Sequence, residues 1–177
     1  MEKLSLFLSI GALICMTVPS LLKGKNMKGI LVLLCLGNAM MGTNYLMSGG
    51  LNGAVSSYNG VVTTAINFSF QVKGKTVPKF LIMIYLIISV ILNLWVSKGI
   101  SIGLILVIGA SVAYQLGCAG KTGATYRFWI LINLLLWCVY DIFSLTIGAL
   151  LTHGIQFAIH IIGMLIFDRK SKSITAK

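Results

Sequence analysis

Residues 135–145 read LLWCVYDIFSL, an apolar run with a carboxylate, Asp141, in its interior. Only three acidic side chains occur in the 177 residues: Glu2, Asp141 and Asp168. Glu2 and Asp168 sit near the ends of apolar segments, where water reaches them. Asp141 does not. An ionised Asp at the centre of a membrane helix costs ~2.5–3.5 kcal/mol on insertion scales. It therefore needs water, a proton or a partner, and the partners on offer are His153, His160 and Tyr45.

The rest of the chain gives the same setting. It is 58% hydrophobic and 10% charged, with a mean hydropathy of +0.98. Soluble domains are about 25% charged, and a chain this apolar cannot cover a water-facing surface. A bilayer can hold it, since about 20 helical residues cross ~30 Å of hydrocarbon. Seven apolar segments are legible: Leu4–Leu22, Gly29–Met47, Leu51–Val72, Phe80–Val96, Ile100–Gly117, Phe128–Thr146 and Gly148–Phe167. Glycine- and lysine-rich breaks such as KGKNMKG and KGKTVPK separate them. The first lacks a small-residue cleavage site and reads as a retained span. The expectation is an all-α integral membrane protein of seven transmembrane helices, with DRKSKSITAK as a polar, frayed tail.

The net charge of +11 is spread between the apolar segments rather than along one face, which argues against nucleic acid. Of 14 Lys and Arg, twelve fall in the 1–2, 3–4 and 5–6 loops and after segment 7, Arg127 being assigned to the 5–6 loop. Lys3 and Lys98 alone fall on the other side. The positive-inside rule then predicts the N-terminus out and the C-terminus in. Segments 1–3 and 5–7 share a basic first loop and a short uncharged second one. Two parallel three-helix units follow, 1–72 and 100–168, joined by a cytoplasmic loop and linker helix over 73–99 and followed by a tail over 169–177. This is a 3+1+3 repeat about an axis along the membrane normal.

Polar side chains recur at helical spacing within these segments. Segment 6 carries Asn133, Trp137, Asp141 and Ser144; segment 3 carries Asn52, Ser56, Asn59, Thr63 and Asn67; segment 7 carries Thr152, Gln156 and His160, with His153 beside them. Segment 2 adds Asn38, Asn44 and Tyr45, while segment 4 has only Ser89 and Asn93. Two readings of these stripes stand side by side. They line a central cavity, or they are hydrogen-bonded glue between helices at about 0.6 kcal/mol per bond. Asp141 likewise reads as a solute acceptor, a cation contact, a proton-coupling site or a protonated bridge between helices. Gly148, Gly154 and Gly163 read as points of close helix packing. The four cysteines are scattered, with no metal-ligand spacing, and read as reduced thiols.

The 3+1+3 plan resembles the SWEET, SemiSWEET and PQ-loop superfamily. WCVYDIFSLTIGALLTHG, residues 137–154, is similar to the second-repeat pattern of the YgjV-like bacterial inner-membrane proteins. The PQ-loop signature is altered: VPS keeps Pro19 without the glutamine, and AYQ keeps Gln115 without the proline. The resemblance implies a bacterial inner-membrane carrier moving a small polar or weakly cationic, sugar-like solute by alternating access. It also implies solute contacts from the third helix of each unit, Asn59 and His160, and an aromatic platform at Trp137. With the stripes, the candidate substrate-binding set is Asn38, Asn59, Thr63, Asn133, Trp137, Asp141, Gln156 and His160. Two alternatives stay open: a vitamin-precursor or nucleoside-type carrier resembling the nicotinamide-riboside transporters, and a non-transporting scaffold or sensor whose stripes would be packed dry and fully paired. An enzyme is not expected, because HExxH, a phosphate-binding glycine loop and a workable Ser/His/Asp arrangement are all missing. Neither cofactor nor metal is expected. The partners expected are a small-molecule solute and the lipid bilayer, and a homo-oligomer is compatible with them.

Overall fold

The computed structural model describes residues 2–21, 27–97, 99–120, 122–143 and 147–175; the side chains described exclude those of residues 2, 147, 148 and 168–175. Seven α-helices and no strand are found among the described residues. They are α1 (Glu2–Leu21), α2 (Met27–Met47), α3 (Leu51–Val72), α4 (Lys79–Val96), α5 (Ile102–Cys118), α6 (Gly123–Phe143) and α7 (Ile147–Thr175). In α1, α2, α4, α6 and α7 the apolar stretch is long enough to cross a bilayer. Helix α3 has 22 residues, about 33 Å of rise, but its polar row dilutes its apolarity. Helix α5 is apolar and shorter, at 17 residues.

Local chemistry sets the ends. Gly49 adopts φ +78° in the turn after α2, where Gly50 N–H donates to the Tyr45 carbonyl. Gly74 adopts φ +66° after α3, and Lys75 N–H reaches back to the Phe70 carbonyl, closing that helix as a left-handed cap does. Ser101 accepts from Leu104 N–H at the start of α5.

Two ends differ from the sequence reading by five residues or more. Helix α6 begins at Gly123 rather than Phe128, because Thr122 Oγ1 accepts from Thr125 N–H at 3.2 Å and caps a helix running through Tyr126 and Arg127. Arg127 is therefore not a loop residue: it is 1% exposed. A search for long apolar runs begins α6 too late, since Tyr and Arg end such a run although a packed helix accommodates both. Helix α7 continues to Thr175, through a segment expected to fray. Its Lys and Arg residues are good helix formers and Ser is tolerated, so backbone hydrogen bonding continues.

Packing follows chain order within two groups, α1–α2–α3 and α5–α6–α7. The groups meet at two seams, α1 against α7 and α3 against α5, so six helices form a closed ring. Helix α4 stands outside, leaning on α3 and α5 and joined to α3 by Ser56–Asn93 at 3.2 Å and Asn52–Ser97 at 3.0 Å. The ring buries Asn, Gln, Thr, His, Asp and Arg side chains and turns Leu, Ile and Phe outward. In water that distribution is inverted. It suits a hydrocarbon exterior, where polar groups are expensive and apolar side chains are not.

Candidate functional site

A cavity of about 60 Å³ lies inside the ring. Every ring helix contributes to its wall, and α4 does not. From α2 come Asn38 and Tyr45, from α3 Ser57 and Asn59, from α5 Ser111, Tyr114 and Gln115, from α6 Tyr126, Asn133 and Trp137, and from α7 His153 and Gln156, with Met16 from α1. This volume has room for a few waters. It is far below the ~300–1,000 Å³ of small-ligand pockets.

Five of the eight residues singled out by sequence stand in the wall: Asn38, Asn59, Asn133, Trp137 and Gln156. Asn38 Nδ2 donates to Tyr114 Oη at 2.6 Å and to its own helix at the Leu34 carbonyl. Asn133 Nδ2 donates to the Ala110 carbonyl at 2.8 Å, bridging α6 and α5. The amide of Asn59 makes no hydrogen bond to another described residue, so the α3 stripe is not fully paired. Asn67, lower on the same stripe, is fully buried with both amide atoms unpartnered among the described residues.

The other three lie off the wall. Thr63 is buried and accepts from Gln115 Nε2 at 3.1 Å, pinning α3 to α5. Beside it, Thr64 Oγ1 and Tyr114 Oη are 2.8 Å apart. His160 is buried one turn beyond Gln156, its Nδ1 on the Gln156 carbonyl and its ring 6.1 Å from that of Tyr126. Asp141 is behind the wall: its Oδ2 lies 2.6 Å from His153 Nδ1, and both side chains are buried. The imidazole, not the carboxylate, faces the cavity. Ser144, the last member of the α6 stripe, lies outside the described residues.

Trp137 anchors an aromatic cluster over that pair. Its ring stacks with His153 at 5.6 Å and Tyr45 at 6.3 Å, and meets Tyr140 edge-on at 5.4 Å. Stacking requires near-parallel rings at these separations, so Trp137 is engaged with protein rings in this conformation.

At the other end of α6, about 21 Å away by 14 residues of helical rise, sits the buried Arg127. Its guanidinium donates to the Ser20 carbonyl at 3.5 Å and lies 5.6 Å from the Phe167 ring centroid. Ser20 is in the last turn of α1, where carbonyls lack intrahelical donors and the helix dipole favours a cation. Close approach of α1 and α7 belongs to the same arrangement: a Cβ on Gly163 would stand 2.5 Å from the Ser20 carbonyl oxygen. Around Gly154 there is open space.

The sequence reading undervalued Ser111, Tyr114 and Gln115, although their i, i+3, i+4 spacing marks one face of α5. It also assigned no cavity role to Tyr126. No protein-family model, curated protein or solved structure matches the chain. What the fold and the site define is a class: an all-helical chain with membrane-length apolar helices around a small cavity of mixed polar and apolar lining.

Proposed function

We propose that the protein is a membrane carrier in which α1–α3 and α5–α7 rock against each other to open the central cavity alternately to either side. The observation that carries the reading is the position of that cavity. It lies between the two helix groups, sets Asn, Ser, Tyr, Gln and His side chains among Leu, Ile, Met and Trp, and excludes α4. A 3+1+3 organisation like that of the SWEET and PQ-loop superfamily, with the N-terminus out and the C-terminus in, accounts for the packing. Exchanging α1 with α5, α2 with α6 and α3 with α7 carries the α1–α7 seam onto the α5–α3 seam.

On this reading the two charged ends are gates. At one, Asp141 and His153 join α6 to α7 beneath the aromatic cluster; at the other, Arg127 joins α6 to α1. The solute is small and polar or weakly cationic, and it meets Asn38, Asn59, Asn133 and Gln156 once the groups separate. The amide of Asn59, on the cavity wall and without a bond among the described residues, supports this over a dry scaffold.

A thermal-shift screen of polar solutes on detergent-purified protein, paired with uptake into proteoliposomes, tests it. A solute that raises the melting temperature of the wild type but not of Asp141→Asn, and that is taken up, is the expected result. If no solute shifts the wild type and none is taken up, the carrier reading fails.

A further inference from the structure

A second cavity, apolar and about 510 Å³, runs along the outside of the ring between α3 and α4. Leu51 to Ile66 of α3 form one wall and Leu81 to Trp95 of α4 the other. At 1.5 Å per residue the α3 wall is about 22 Å long, more than half the ~30 Å hydrocarbon core. Four residues with polar groups interrupt it: Tyr58, Asn59, Thr63 and Tyr85; the Tyr58 hydroxyl lies 3.0 Å from Thr43 Oγ1. Thr63 is committed to Gln115. Tyr85 is 3% exposed, and its hydroxyl has no partner among the described residues. Asn59, whose amide is likewise without a bond among the described residues, also lines the central cavity. One side chain thus forms part of the wall of both spaces.

We propose that this groove binds a single-tailed amphiphile with a neutral, hydrogen-bonding head group, and that Asn59 passes the head group between groove and central cavity. The tail lies along Val62, Ile66, Ile84 and Ile88, and the head group takes the amide of Asn59, which lines the groove. A neutral head group fits because no Lys, Arg, Asp or Glu lines either space among the described residues. An acyl chain alone makes no hydrogen bond to the Asn59 amide. The passage step rests on the carrier reading and narrows its substrate to an amphiphile entering sideways from the bilayer. The binding step does not need transport.

The test is equilibrium binding of tritiated monooleoylglycerol to the full chain in phosphatidylcholine nanodiscs, competed with glycerol (head alone) and methyl oleate (tail alone). Saturable binding is expected, with methyl oleate at least about tenfold weaker and glycerol not competing. Asn59→Leu removes the polar wall, and Val62→Trp fills the groove from an exposed position without touching the core. Each weakens binding about tenfold, while Ile105→Trp, on the exposed face of α5, leaves it unchanged. Equal binding of methyl oleate means the groove takes annular lipid only, and the proposal falls. It also falls if Val62→Trp binds as the wild type does, or if monooleoylglycerol does not bind. If glycerol competes as well as the amphiphile, the head group is recognised centrally and the groove adds nothing. That result overturns this inference and leaves the carrier reading standing, whereas failure of the solute screen and uptake assay leaves binding in the groove measurable.

Discussion

The two ends of the α6 face solve the same problem with different chemistry. At one end Asp141 meets a side chain, His153, at 2.6 Å and is covered by the rings of Trp137, Tyr45 and Tyr140. At the other, Arg127 meets a backbone carbonyl in the last turn of α1 and the ring of Phe167. The carboxylate needed a partner supplied by sequence, twelve positions away across the α6–α7 turn. The guanidinium uses a helix terminus, which every helix has. An imidazole covers the first charge, and a helix-end carbonyl is among the groups that meet the second.

The largest effect should come from breaking the first end. Asp141→Ala leaves His153 buried without its carboxylate and should destabilise the folded protein by about 3–5 kcal/mol. His153→Ala should cost a similar amount, and the double variant much less than the sum. Denaturant unfolding in mixed micelles, run as a double-mutant cycle, measures this; additive costs would mean that the two side chains do not support each other.

At the second end, Arg127→Met should cost about 1.5–3 kcal/mol, the worth of a hydrogen bond to a charged group. Arg127→Lys should not restore it, because an ammonium lacks the planar fork and the ring stacking of a guanidinium. Full stability of the Lys variant in the same unfolding assay would show that charge alone suffices there. Smaller still is the effect of Gly163→Ala, about 1–3 kcal/mol at most, since its methyl must push α1 and α7 apart at the Ser20 carbonyl. Gly154→Ala, with open space around it, should instead stabilise by up to about 1 kcal/mol through helix propensity. Equal behaviour of the two alanine variants would remove the close α1–α7 approach from the account of this end.

The same contrast explains what was legible beforehand. Asp141 stood out because it interrupts an apolar run, and His153 was among the three partners that its cost required. Arg127 did not stand out, because it follows GATY at a polar edge and was counted with the loop charges. Its helix is extended by the Thr122 cap, a short-range signal weaker than the hydropathy change it contradicts. His160 and His153 were not separable by periodicity: both lie on a helix of known face spacing, and one turn of neighbouring packing decides which faces the cavity. The groove between α3 and α4 was invisible, because apolar residues on two segments look the same whether the helices touch or stand apart.

Composition and spacing alone determined that this chain forms mostly apolar helices, seven among the described residues, with polar stripes on particular faces. Those properties are local, set by hydropathy and by 3.6 residues per turn. Only the tertiary structure decided which helices adjoin, that α4 stays outside the ring, that the carboxylate is handed to an imidazole, and that Asn59 stands between two cavities. Those depend on contacts between residues far apart in the chain, where helix packing rather than any periodic pattern selects the partner.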